Sequence, residues 1–160
     1  MLARPETASR TEDVLDLLLD PGVRVGMSTP NLDPSGDYTL KLFAAADRVR
    51  PGAGSVLAGK ARRLTGTPHH AEAPGKLNLY AWLLALGRAD AFVTYRTSAL
   101  AAQRDNPALR LIELPADLAV EAQYGLTVLA PAGEHLARCV LDQAGTAILV
   151  GHGFLPPEPT

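Results

Sequence analysis

The chain has 160 residues, of which 47% are apolar, and a formal net charge of −2 with acidic and basic residues interspersed. This length suffices for one domain with a proper core. The charge balance argues against a nucleic-acid-binding protein, because such proteins usually carry a basic face. No run of about 18 apolar residues is present, and residues 1–10 lack the apolar segment of a signal peptide. The single cysteine, Cys139, excludes an internal disulfide.

Helix-like and strand-like segments alternate along the chain. The predicted helices cover residues 11–19, 36–49, 53–64, 76–88, 96–104, 131–143 and 146–151. The predicted strands cover residues 23–27, 91–95, 109–114 and 123–130. This alternation predicts an α/β fold in which helices flank a parallel or mixed sheet. Residues 1–10 are polar and are expected to be flexible, residues 11–155 to form a single α/β domain, and residues 156–160 to be a Pro-rich tail.

The turn from Ser28 to Tyr38 joins a predicted strand to a predicted helix and is the stretch that bears most on function. Asp33 is suited to cap the helix, Pro34 to occupy its first turn, and Gly36 to let another group approach the backbone closely. The first N–H groups of a helix have no partner inside it, so such a turn can hold an anion. An ordinary capped helix after a strand is the alternative interpretation, and Tyr38 has the spacing of a core residue.

Four stretches of the sequence resemble, in order, motifs of the molybdate-binding periplasmic proteins of ABC importers. They are STPNLDPSGDYTLKLF at 28–43, GRADAFVTYRTSAL at 87–100, LPADLAVEAQYGLTVLA at 114–130 and ILVGHGF at 148–154. The resemblance runs from about Val14 to Phe154. It implies a three-layer lobe of a type-II periplasmic binding protein, namely the second lobe and the C-terminal segment, without most of the N-terminal lobe.

The resemblance also implies a ligand and a set of contacts. The ligand is a tetrahedral oxyanion, molybdate or tungstate, held by neutral donors without a metal or cofactor and passed to an ABC permease in the periplasm. Ser35 matches the residue whose backbone N–H points at the anion, and Gly36 keeps that approach open. Leu77 matches a second backbone donor, with Asn78 as its alternative, and Tyr95 matches a Tyr whose hydroxyl donates to an anion oxygen. Ligands of open α/β sheets bind beyond the carboxyl ends of strands. Ser35 follows one predicted strand and Tyr95 is the last residue of another, so both positions agree with this rule.

The resemblance implies that one lobe, and with it half of the anion's contacts, is not supplied by this chain. We therefore expect this chain alone to bind molybdate weakly or not at all. Apolar surface left uncovered by the absent lobe is expected to favour self-association. Two other functions remain open: the ligand-sensing domain of a regulator, which needs a DNA-binding helix pair that this chain lacks, and a shortened gene product that binds no ligand.

The sequence predicts no enzyme and no metal site. Cys139 lies among apolar residues of a predicted helix and is expected to be buried and inert, and His135, one turn away, has no evident acidic partner. The adjacent His69 and His70 lie in a predicted loop and lack further ligands, because neighbours in sequence rarely point at one ion. His152 is expected at the surface.

Overall fold

The computed structural model describes residues 1–68 and 72–156 and separates the chain into two compact units, Met1–Val120 and Glu121–Thr160. His69 and His70 lie outside the described residues, as does most of the predicted tail. The single domain predicted for residues 11–155 thus stays a prediction, and each unit is described by itself. None of the described helices combines the length and the apolar character needed to cross a membrane.

The first unit contains five strands and six helices in its described part. The strands are β1 (Leu2–Ala3), β2 (Val25–Ser28), β3 (Arg62–Thr65), β4 (Ala91–Phe92) and β5 (Arg110–Leu111). The helices are α1 (Pro5–Ala8), α2 (Val14–Leu19), α3 (Pro34–Val49), α4 (Ala53–Lys60), α5 (Leu79–Ala85) and α6 (Arg96–Asp105). The second unit contains a 3₁₀ turn (Pro131–Gly133) followed by α7 (Glu134–Leu141) and α8 (Gln143–Gly151).

The five strands form one mixed sheet in the order β3-β2-β4-β1-β5. β2 pairs in parallel with both β3 and β4, whereas β1 pairs antiparallel with β4 and β5. The predicted α/β fold is confirmed. Because β2, β3 and β4 run in the same direction, their carboxyl ends meet at one edge of the sheet, which we call the carboxyl edge.

Helices cover both faces of this sheet. Successive strand residues point to opposite faces, and here Ala91 belongs to a core formed with α2, α3 and α4, while Phe92 belongs to a second core formed with α5 and α6. Both side chains are buried. The result is the three-layer arrangement predicted for a periplasmic binding protein lobe.

Two sequence predictions about the first unit are wrong. Residues 1–10 are not loose throughout, because β1 lies between β4 and β5, and Leu2 and Ala3 are completely buried. The apolar residues 1–3 were not recognised as a strand because the polar residues 4–10 dominate the composition of this segment. The helix predicted to reach Leu64 ends at Lys60, and β3 follows it as an edge strand, with the side chains of Arg62 and Arg63 exposed.

Candidate functional site

Hydroxyl groups join the ends of β2 and β3 at the carboxyl edge. The Ser28 Oγ and Thr65 Oγ1 atoms lie 2.8 Å apart in a buried hydrogen bond. The Thr29 hydroxyl and the Thr29 N–H both donate to the carbonyl oxygen of Thr65, at 2.8 and 2.9 Å. Sequence reasoning missed this cluster, although Ser and Thr at the last positions of adjacent strands were its signal. These bonds fix the backbone from which the turn into α3 departs.

The start of α3 is capped as the sequence predicts, and the cap uses the donors predicted to hold the anion. The Ser35 N–H donates to Asp33 Oδ1 at 2.9 Å, and the Gly36 N–H donates to the Asp33 carbonyl oxygen at 2.8 Å. Asp37 Oδ1 accepts from the N–H of Asn31 at 2.9 Å. Two carboxylates therefore lie in this turn, and an anion at Ser35 has to compete with one of them.

Gly36 has a structural reason to be glycine. A Cβ atom at this position would lie 2.6 Å from Pro30 N and Thr29 C, and 2.7 Å from Ser28 O. Since all three are backbone atoms, the missing side chain lets the helix start pack on the end of β2. The close approach predicted at Gly36 is present, and the group that approaches is the chain's own backbone.

Leu77 and Asn78 precede α5, which begins three residues later than predicted. The Leu77 N–H donates to the Pro74 carbonyl at 3.3 Å. The helical spacing of Leu77 with Tyr80 and Leu84 predicts a core side chain, but this prediction is wrong, since Leu77 is 55% exposed. Asn78 caps α5 by accepting from the N–H groups of Tyr80 and Ala81 at 3.0 and 3.3 Å. Because the cap defines the helix start, it leaves Leu77 outside the helix.

The backbone of Asn78 is tied to the far end of α6. Its N–H donates to Asp105 Oδ2 at 2.6 Å, and Asp105 is the last residue of α6, whereas Tyr95 precedes the first. A helix of ten residues is about 15 Å long. This contact therefore holds Asn78 nearer to the end of α6 that is remote from Tyr95.

The strand predicted over residues 91–95 ends at Phe92, and Tyr95 lies between β4 and α6, where it contacts the start of α3. It is half-buried, and its ring lies 6.0 Å from the ring of Tyr38 in an edge-on contact at 64°. Lys41 Nζ lies 4.6 Å from the centre of the Tyr38 ring. The structure thus brings Tyr95 and the first turns of α3 together at the carboxyl edge.

The start of α6 differs from those of α3 and α5. No side chain caps it, and among the described residues no acceptor receives the N–H of Thr97 or Ser98. In the same part of the chain, the buried Thr94 Oγ1 has no hydrogen-bond partner. Sequence reasoning did not single out these three residues. The feature of the sequence that could have identified them is the run of hydroxyl residues after β4. Amides in the first turn of an uncapped helix have no partner inside the helix and attract negative charge.

A separate polar cluster lies where β2 and β4 begin, opposite the carboxyl edge. The Arg24 side chain donates to Asp90 Oδ2 and Oδ1 at 2.8 and 2.6 Å, and Arg4 Nη1 lies 3.5 Å from Asp90 Oδ1. The hydrogen bonds from Arg24 hold the pKa of Asp90 below its ordinary value. An open cavity of about 190 Å³ lies nearby, lined by Arg4, Pro5, Glu6, Leu84, Ala85, Asn106, Ala108 and Leu109. None of the predicted site residues lines it.

Comparison with known proteins assigns the family. The sequence model of a family described as bacterial extracellular solute-binding protein matches residues 1–155. The chain belongs to this family. It is also 33% identical over 150 residues to an uncharacterized protein of Pasteurella multocida, an alignment that covers 93% of this chain and 62% of the relative. The chain therefore spans less than two thirds of that relative's length. No solved structure matches.

The solute-binding family points to binding rather than catalysis, and two details bear on this. Cys139 is exposed, so the prediction that it is buried is wrong, and its Sγ lies 3.6 Å from His135 Nε2. Within the described ranges, no hydrogen bond joins His135 to a carboxylate or amide that would orient it as a base. The same ranges contain no group of three or more His, Cys, Asp or Glu residues arranged to hold a metal ion. His152 is exposed, as predicted.

Proposed function

We propose that residues 1–120 form the ligand-holding lobe of a solute-binding protein whose ligand is a tetrahedral oxyanion, molybdate or tungstate. One observation carries the proposal: Tyr95, three residues beyond the end of β4, contacts the first turns of α3 at the edge where β2 and β3 also end. Ligands of open α/β sheets bind at such edges. The resemblance of residues 28–43 and 87–100 to molybdate-binding motifs supports the same ligand class.

In this proposal the anion lies beside Tyr95 and accepts from its hydroxyl and from the amides of Ser35 and Gly36. The Ser35 amide already donates to Asp33, so the anion takes the place of a carboxylate that is itself negative. Two or three neutral hydrogen bonds contribute about 0.5–1.5 kcal/mol each. Such a set holds a hydrated dianion only weakly, and millimolar affinity is the expectation for this chain alone.

Leu77 and Asn78 remain proposed backbone contacts of the anion, as the resemblance implies. Their N–H groups donate to Pro74 and Asp105, and the contact with Asp105 holds Asn78 near the end of α6 that is remote from Tyr95. Each therefore has to leave an acceptor and move toward Tyr95 before it reaches the anion. The amides of Thr97 and Ser98 have no such competitor within the described residues. Binding is therefore expected to affect the start of α6 more than the start of α5.

The family description supports a location outside the cytoplasmic membrane, and we place the protein in the periplasm as the receptor of an ABC importer. Its partner in this scheme is the permease that accepts the released anion. The relative is longer than this chain, and a segment that corresponds to its unmatched part would supply the remaining anion contacts.

Titration with ¹⁵N-labelled protein tests the proposal residue by residue. Millimolar molybdate or tungstate is expected to shift the amide signals of Ser35, Gly36, Thr97 and Ser98, and chloride at equal ionic strength is expected to leave them in place. Signals that move only around the Arg4 and Asp90 cluster would place the anion at the opposite edge and refute the site. The absence of any shift at 20-fold higher anion concentration would refute the proposed function for this chain.

A further inference from the structure

A lysine lies beside the tyrosine pair of the proposed site. The Lys41 Nζ atom is 4.6 Å from the centre of the Tyr38 ring, and the ring of Tyr38 contacts that of Tyr95 with the centroids 6.0 Å apart. Side chains of an α-helix lean toward its N-terminus. Lys41, three residues after Tyr38 on α3, therefore carries its ammonium group back toward the helix start, which lies at the carboxyl edge.

The charge of Lys41 is not offset by an ion pair within the described residues. Asp37 precedes it by four residues, the spacing at which acidic and basic side chains of a helix readily pair. Asp37 Oδ1 instead accepts from the Asn31 N–H at 2.9 Å. The ammonium group rests on the Tyr38 ring, and since Lys41 is exposed, its N–H donors remain open to a ligand.

The arginine next to Tyr95 differs in this respect. Arg96 follows Tyr95 directly, and its Nε donates to Glu113 Oε1 at 2.8 Å. A carboxylate this close offsets most of the arginine's charge for any ligand farther away. Arg96 is therefore the weaker source of positive potential for an anion bound beside Tyr95.

The turn into α3 carries negative charge that an incoming anion has to meet. The carboxylates of Asp33 and Asp37 both lie in it, and each accepts from a backbone N–H, at Ser35 and Asn31. Two like charges near the site would repel a dianion at moderate ionic strength. A cation is needed nearby if a doubly charged ligand is to bind.

We propose, building on the function given above, that Lys41 is the counter-charge of the bound oxyanion and favours doubly charged ligands over singly charged ones. The resemblance implies neutral donors alone, so this charge is an addition to them. The ring contacts place Nζ no more than about 11 Å from the centre of the Tyr95 ring, comparable to the ~10 Å Debye length at 0.1 M salt. The ammonium group thus acts on a ligand at Tyr95 without having to touch it.

Titrations with molybdate and perrhenate, followed by the amide signals of Ser35 and Gly36 at one low ionic strength, test the proposal. Perrhenate has the same tetrahedral shape but a single negative charge. Because Coulomb energy is proportional to the ligand's charge, Lys41→Gln is expected to raise the Kd of molybdate about fivefold and that of perrhenate only about twofold. Lys41→Arg keeps the charge and should restore most of the affinity.

Arg48→Gln is the matched control. Arg48 is exposed on the same helix, seven residues or about 10 Å farther from the carboxyl edge, and its loss is expected to change neither Kd measurably. Raising the salt concentration should also shrink the difference between wild type and Lys41→Gln, because the charge is screened. Amide spectra of the ligand-free variants verify that the fold is unchanged.

The possible failures are distinguishable. Molybdate binding that is equal in wild type and Lys41→Gln would overturn the counter-charge and leave the proposed function standing. The same factor for both anions would overturn it as well, since it would indicate lost packing in place of lost charge. A wild type that binds no oxyanion would overturn the proposed function and this inference together.

Discussion

Replacing Gly36 by alanine separates a structural role for this glycine from a role in ligand approach. The added Cβ would meet Pro30 N and Thr29 C at 2.6 Å and Ser28 O at 2.7 Å. These atoms belong to the backbone that leaves β2, and the neighbouring Thr29 is held by two hydrogen bonds to Thr65. The clash is therefore relieved only by moving the start of α3 or the end of β2.

The size of the effect follows from the contact. Inserting a methyl group into a well-packed site costs about 1–3 kcal/mol, and the upper part of this range applies because no flexible side chain can yield. In a protein of this length, 1 kcal/mol corresponds to about 2–4 °C in the unfolding midpoint. We expect Gly36→Ala to lower the midpoint by roughly 5–10 °C.

Urea and thermal unfolding followed by circular dichroism measure this change. Gly59→Ala is the control, because it lies on the exposed side of α4 with no atom within 4 Å of the added Cβ, and it is expected to stabilise the chain by about 0.5–1 kcal/mol. If Gly36→Ala were as stable as Gly59→Ala, the turn would have room for a side chain. The packing argument would then be refuted, and ligand approach would again be the reason for the glycine.

Three further predictions concern single side chains. Asn78→Ala removes the cap of α5 and is expected to cost about 1 kcal/mol of unfolding free energy in urea, with Asn78→Asp close to wild type. The hydrogen bonds from Arg24 lower the pKa of Asp90 in the folded state, so the Asp90 carboxylate stabilises the fold above its unfolded pKa, and this stabilisation is lost as the pH falls through the folded pKa. The unfolding free energy of Asp90→Asn should therefore decrease less than that of the wild type between pH 7 and 3. An equal decrease would contradict this. Asp33→Asn keeps a capping oxygen but removes a negative charge beside the proposed anion, so the response to molybdate should become stronger, and a weaker response would place the anion elsewhere.

Local signals in the sequence were sufficient for α3. The cap at Asp33, Pro34 in the first turn and the end at Val49 all depend on neighbouring residues, and the structure confirms each of them. β3 could not be found in this way, since Arg62–Thr65 becomes a strand by pairing with β2, more than 30 residues earlier. A strand that depends on a distant partner leaves little trace in its own four residues.

The candidate site was predictable in position and less so in detail. The residues that follow β4 and the start of α3 meet as expected, because parallel strands share their carboxyl edge. The use of the Ser35 amide by Asp33 depends on one side-chain rotamer, which the sequence does not reveal. Cys139 was misjudged because helical spacing identifies an apolar face without showing whether anything covers it, and within the described residues α7 buries nothing.

Thermal unfolding with millimolar molybdate, tungstate, sulfate and phosphate tests the central claim most directly, since a ligand that binds the folded state raises the midpoint. The account predicts a small rise with molybdate and tungstate, a smaller one in Tyr95→Phe, and no loss in Tyr124→Phe, the same substitution in the second unit. A well-folded wild type whose midpoint no oxyanion raises, or an equal rise in Tyr95→Phe, would contradict it.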